Sequence, residues 1–324
     1  MGIKARRYAD ILAGAPEYVT GRQEEWKAFL ATAARNYKYP YYDQLMIYLQ
    51  RPEATACAEY DFWFDTMHRY VKRGAKGIAL VDNEGDSPRL RYVFDVADTG
   101  ARRNSRPVWL WQMKEEYRNP VMAALERAYG ISGENQSLEA QLEQVAGRLA
   151  ADYWLDYGRQ IRGIVADSFL EEYDEFNIGT VFRKAAQASI AYTLSVRCTE
   201  DFRDVSDFNT RQTAAALGTA VSSISREVFR EIERAIRDYE RTKAQERSQN
   251  YAERNNIQAG RGLSSAGDRV ERDHRETSGQ IRENAQGISE GEQSDTLQRS
   301  GTGGEVISPS SGDRRDSAPE AGSA

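Results

Sequence analysis

Gly77-Ile78-Ala79-Leu80-Val81, followed after a turn-rich link by Leu90-Arg91-Tyr92-Val93-Phe94-Asp95-Val96, is the stretch on which the fold class turns. A short apolar run gives way here to alternation at Leu90, Tyr92, Phe94 and Val96, the period of a half-buried strand. The link from Asp82 to Pro88 holds Asn, Gly, Asp and Ser, so the two runs read as a β-hairpin. Val108 to Met113, with Trp109 and Trp111, lies beyond a basic loop at Arg102, Arg103 and Arg106. It is expected to add a third strand, enough for a small sheet.

On either side of the hairpin the apolar period is helical. Upstream, Thr20 and Gln23 have capping-box spacing, and Trp26, Phe29, Leu30, Ala33 and Tyr37 follow on one stripe, so a first amphipathic helix is expected to start there. A tyrosine-rich turn, Tyr37 to Tyr42, leads into the apolar run Leu45 to Leu49, which Pro52 ends; Tyr60, Trp63 and Met67 suggest another short helix. Downstream, Asn119-Pro120 starts a helix and Gly130 stops it. Leu138, Leu142, Val145 and Leu149 form the next stripe, and Phe182, Ala186, Ile190 and Leu194 another. Leu217, Val221, Ile224, Val228, Ile232, Ala235 and Tyr239 form the longest. Beyond Tyr251 there is no aromatic residue, and too little apolar surface to offset the entropy of ordering. The expected class is α+β: a small antiparallel sheet with helices over 1–113, a mainly α-helical domain over 114–247, and a disordered low-complexity tail over 248–324.

Composition narrows the function. A net charge of -6 and a mean hydropathy of -0.72 exclude a uniformly basic coating protein, so any phosphate-binding surface must be local. Cys57 and Cys198 cannot build a disulfide framework and suit a reducing compartment, for which the cytoplasm is the expectation. No run approaches the length and apolarity of a membrane span. There is no phosphate loop ending in Gly-Lys-Ser/Thr and no His-Glu-x-x-His pair, and the histidines are His68 and His274 alone. No residue is nominated as catalytic, no metal ligand set is assigned, no cofactor is expected, and the chain is read as a non-enzyme.

The informative constellation is His68 to Ile78, a basic turn between helix and hairpin in which Gly74 and Gly77 let backbone amides approach an anion. Arg69, Lys72, Arg73 and Lys76 supply its charge. The segment Tyr37 to Tyr42 and the nearby Trp63, Tyr70, Trp109 and Trp111 interleave aromatic faces with it, the combination that single strands use for base stacking and backbone neutralisation. Trp26, Trp63 and Phe94 sit on apolar stripes and read as core. Tyr39, Tyr41 and Tyr42 fall in a turn where burial of every ring is hard, and are the stacking candidates, with Arg102 and Arg103 as further cations.

At these residues the chain resembles a family. Gln50-Arg51-Pro52-Glu53-Ala54-Thr55, Trp63, Val71-Lys72-Arg73-Gly74-Ala75-Lys76-Gly77-Ile78 and Val93-Phe94-Asp95-Val96 are ordered as in the N-terminal domain of ArdC-type antirestriction proteins, over roughly Tyr18 to Met113. The resemblance implies sequence-tolerant binding of single-stranded DNA, in proteins of plasmids and conjugative elements. The chain departs from the pattern at His68, where the family often has glycine, and at Asp43, where asparagine is common. The histidines of the zinc-protease domain that follows in ArdC itself are absent, so that activity does not transfer. From Lys114 to about Arg247 the chain is similar to the segment that follows this domain in large mobile-element proteins carrying a Swi/Snf-type helicase and an adenine DNA methyltransferase. An alternative reading is therefore the front part of such a polyprotein. A third, structural reading is a helical interaction module without DNA binding, self-associating through the helix over 209–246.

Overall fold

The computed structural model describes residues 3–82, 87, 89–196, 205 and 207–276, with side chains described within 4–254. Residues 1–254 form one compact unit. The fold is α+β, mostly helical with a small antiparallel sheet.

Helix α1 (Ile3–Thr20) precedes the expected first helix and was missed, although its buried residues Ala5, Leu12, Ala15 and Val19 keep a helical spacing. It also removes the expected capping box. Thr20 is the last residue of α1, and its hydroxyl donates back to the Pro16 carbonyl at 2.9 Å; α2 (Gln23–Arg35) begins after Arg22 with no side-chain cap. Helix α3 (Tyr41–Gln50) starts inside the tyrosine-rich turn and ends before Pro52.

Strands β3 (Ile78–Asp82) and β4 (Arg89–Asp95) pair antiparallel with Ile78 opposite Val93. The link between them, apart from Ser87, lies outside the described residues. The third strand of this sheet is β1 (Cys57–Glu59), on the other side of β4, and not Val108 to Met113. Those residues have no strand pairing because their indoles are used elsewhere. Trp109 Nε1 donates to Glu240 at 3.2 Å, and the Trp111 ring lies 5.9 Å from that of Phe229. A separate two-stranded ribbon pairs β2 (Arg69–Val71) with β5 (Thr99–Ala101). Tyr60, Trp63 and Met67 do mark a short helical segment, whose turn Phe62–Thr66 is π-helical.

Helices α4 (Arg118–Tyr129), α5 (Leu138–Arg162), α6 (Glu175–Ser195) and α7 (Arg211–Glu276) follow. Gly130 ends α4 at a φ of 64°, the left-handed cap read from its position. Ser137 caps α5 by accepting from the Ala140 amide. The backbone of α7 stays helical past the expected start of the tail at 248 as far as Glu276, although that stretch includes Gly260, Gly262 and Gly267. Residues 277–324 lie outside the described residues.

The first core packs Trp26, Phe29 and Leu45 with Ile78, Leu80 and Val93 of the sheet and with Phe182, Ile190, Leu217 and Val221 of the later helices. Trp26 Nε1 donates to Ser189 Oγ at 3.0 Å. The packing therefore runs without a break across the boundary expected at residue 113. In the second core, Tyr37, Val121, Leu125 and Leu142 cover Val228, Phe229, Ile232 and Ile236 of α7. The long stripe expected as a self-association face is buried by its own chain. Among the described residues no helix is long and apolar enough to cross a membrane.

Candidate nucleic-acid interface

The ribbon of β2 and β5 is held by residues from the ordered blocks noted above. Asp95, buried at the end of β4, accepts from the amides of Thr55 (2.6 Å), Ala56 (2.9 Å) and Ala97 (2.9 Å), which ties the chain after α3 to the chain after β4. Arg51 forms an ion pair with Asp98, whose carbonyl accepts from the Lys72 amide at 2.8 Å. Gln50 meets β3 as another strand would, its amide group exchanging hydrogen bonds with Ala79 N and O at 2.9 and 2.8 Å. Trp63 is 2% exposed and donates to the Phe94 carbonyl at 2.9 Å, anchoring the π-turn on the sheet.

Anchoring Trp63 turns its neighbours outward, so Tyr60, Phe62 and Phe64 are exposed. Tyr60 and Phe64 stack with ring centroids 6.0 Å apart and planes 10° apart. On the ribbon, Tyr70 stands opposite Gly100, and its ring lies over that glycine so closely that a Cβ there would be 2.3 Å from it. Arg102 completes the group. Its guanidinium lies 5.2 Å from the centroid of Phe64 and 5.7 Å from that of Tyr70. Ser105 positions this arginine, accepting from the Arg102 amide at 2.6 Å and donating to the His68 carbonyl at 2.6 Å. His68 takes a φ of 53°, the left-handed backbone that glycine favours, where the chain swings from the π-turn into the ribbon.

The sequence-nominated residues divide accordingly. Lys72, Arg73, Lys76, Arg102 and Arg103 are exposed, and Arg73, Lys76 and Arg103 make no side-chain hydrogen bond or ion pair among the described residues. Gly74, at a φ of 85°, closes the turn in which the Lys72 carbonyl accepts from Ala75, leaving Arg73 at its tip. Arg69 is half-buried and spent on the ribbon, its Nε donating to Thr99 Oγ1 at 2.8 Å. Two of the three tyrosines fail as stacking platforms. Tyr41 is 3% exposed and packed edge-on against Phe29, whereas Tyr39 is half-buried with its hydroxyl bonded to the Cys57 carbonyl at 2.9 Å. Burial raises the hydroxyl pKa of both. Only Tyr42, 47% exposed, keeps a free face, although it too touches Tyr41. The turn failed as a guide because α3 starts at Tyr41 and rotates that ring onto α7, where Gly218 leaves room for it.

The residues missed are Tyr60 and Phe64, whereas Tyr70 was counted among the interleaved aromatic residues without being singled out for stacking. No local signal separated the missed rings from the core, since Tyr60 lies three residues from Trp63 and so on the same helical face as that buried ring. Asp43, also singled out, is buried and paired with Arg91; burial raises its carboxyl pKa and Arg91 opposes that rise. Among the described residues no group of three or more His, Cys, Asp and Glu is placed to hold a metal ion. Comparison with protein-family models, with curated proteins and with solved structures finds no match.

Proposed function

We propose that this chain binds single-stranded DNA with little sequence preference, through the face formed by Phe64, Tyr70 and Arg102 with Lys72, Arg73 and Arg103 around it. The observation that carries the reading is Arg102 held over both rings: a planar cation and two aromatic faces, exposed side by side, offer bases a stacking surface and phosphates a counter-charge. The resemblance to the ArdC-type domain points the same way, and the φ of His68 is in keeping with a position where that family often has glycine. In that setting the protein acts as an accessory of a conjugative or other mobile element, with DNA as its partner and the cytoplasm as its compartment.

Duplex DNA suits this face poorly, since paired bases hide the π-surfaces that the rings would cover. The test is anisotropy with a labelled oligo-dT at several salt concentrations. Log K is expected to fall against log salt with a slope of about -0.7 per neutralised phosphate, and Lys72→Ala with Arg73→Ala to flatten it. Phe64→Ala or Tyr70→Ala is expected to cost about 1–3 kcal/mol of binding with the slope kept. Full affinity in a Tyr70→Ala, Arg102→Ala double variant would overturn the assignment.

A further inference from the structure

The outer face of the three-stranded sheet continues the same chemistry. Val93 of β4 points into the core opposite Ile78, so Tyr92 and Phe94 fall on the other side of the sheet. Their neighbours there are small: Ala79 is opposite Tyr92, Ala58 is opposite Phe94, and a Cβ on Gly77 would stand 3.2 Å from the Phe94 ring and 3.3 Å from the Tyr92 ring. Tyr92, exposed, and Phe94, half-buried, thus share this face with their Cα atoms about 7 Å apart along the strand.

These rings join the ribbon face without a gap. Phe94 lies 6.5 Å from Tyr60 edge to face, Tyr60 stacks on Phe64 at 6.0 Å, and Arg102 bridges Phe64 to Tyr70. The far end carries its own cation: Lys4 of α1, which is exposed, sits 5.3 Å from the centroid of Tyr92. Lys76, exposed, directly precedes the glycine that lies against Tyr92 and Phe94.

We infer that the binding path for single-stranded nucleic acid runs across both sheets, from Lys4 and Tyr92 through Phe94, Tyr60 and Phe64 to Arg102 and Tyr70. One strand of about four to five nucleotides is occluded per molecule, a length at the short end of known single-strand sites. The inference rests on the single-strand reading above and goes beyond it by fixing the site's extent and its second end. Lys4, on a helix far in sequence from the basic turn, is assigned a phosphate contact.

The test uses the full chain and oligo-dT probes of increasing length. Affinity is expected to climb with each nucleotide up to about five and then to level off. Tyr92→Leu keeps apolar bulk on the sheet while removing the stacking ring, and should cost fivefold or more with the longer probes, leaving dinucleotide and trinucleotide binding unchanged. Lys4→Ala should lower the salt slope by about 0.7 with the same length dependence. Thermal melts unchanged from the parent protein exclude misfolding as the cause. If the parent binds oligo-dT but Tyr92→Leu and Lys4→Ala bind long probes as tightly as it does, the extended path is wrong while the ribbon reading stands. If the parent binds none, both fall, and the ring row is then a protein-docking face.

Discussion

Gly100 and Gly74 are both glycines of the ribbon region, and they predict opposite outcomes. Gly100 has no unusual backbone, and what a Cβ would strike there is the exposed end of Tyr70, a ring free to swing aside. Gly100→Ala should therefore leave the thermal midpoint nearly unchanged, yet lower affinity for oligo-dT severalfold, because the ring leaves its platform. At Gly74 there is open space but a φ of 85°, so Gly74→Ala strains the turn itself and should cost about 1 kcal/mol of stability. Melting and anisotropy on the same pair of variants separate the two. Loss of stability without loss of binding in Gly100→Ala would contradict the placement of Tyr70. The candidate site was half legible at this scale: the cations of the basic turn were readable from composition, whereas the exposure of each ring was not. Tyr41 and Tyr70 look alike in sequence, and one is buried against Phe29 while the other lies open over Gly100.

Helix α7 gathers the polar contacts of the second core around Glu233. Tyr37 donates its hydroxyl to this carboxylate, Lys38 pairs with it at 3.2 Å and Arg237 at 2.7 Å. Burial pushes the Glu233 carboxyl up, but these three partners outweigh burial and hold it below the ordinary carboxylate range. A depressed carboxylate contributes stability that is present above its unfolded pKa and is lost as pH falls through the folded value. The thermal midpoint should therefore drop on the acid side of about pH 4.5, and Glu233→Gln should flatten that drop while lowering the midpoint at neutral pH. An identical acid limb in the variant would remove Glu233 from the account. On the apolar side of the same helix, Ile232 is buried among Val121, Leu125 and Phe229. Ile232→Ala should cost about 2–5 kcal/mol by the cavity it leaves. Because the stripe faces inward, light scattering should report no change of mass for that variant at concentrations where the parent is monomeric.

The whole of residues 1–254 behaves as one packing unit, with consequences for where it can be cut. A fragment ending at 113 would strip Trp26 of Ser189, and Phe29, Leu45 and Val93 of the core they share with Phe182, Ile190 and Val221. It should show no cooperative melt and no measurable affinity for oligo-dT, while a fragment of residues 1–254 should melt in one transition and keep most of the binding. A cooperative, DNA-binding 1–113 fragment would mean that the shared core is dispensable. The strap from Arg106 to Tyr117 adds to this unity. Arg237 lies 4.4 Å from the Trp109 ring centroid, and the Tyr117 hydroxyl donates to Glu240 at 2.7 Å, so the segment after the Arg102 loop is fastened to α7.

The sequence by itself determined the α+β class, the β3–β4 hairpin, helices α2 and α4 to α7 and the cationic turn. Each of these is written in a local period, a cap or a cluster of like charges, and local patterns bias the backbone before any distant contact forms. Helix α1 went unread although Leu12, Ala15 and Val19 keep a helical spacing, and the expected strand at Val108 to Met113 failed because aromatic residues suit a helix-docked strap as well as a sheet. Only the tertiary structure decided which rings are open. Trp63 fastened to Phe94 throws Tyr60 and Phe64 outward, Gly218 on α7 admits Tyr41, and Gly100 leaves a bed for Tyr70. Exposure is a property of what packs against a side chain from elsewhere in the chain, so no reading of a ring's immediate neighbours could have assigned it.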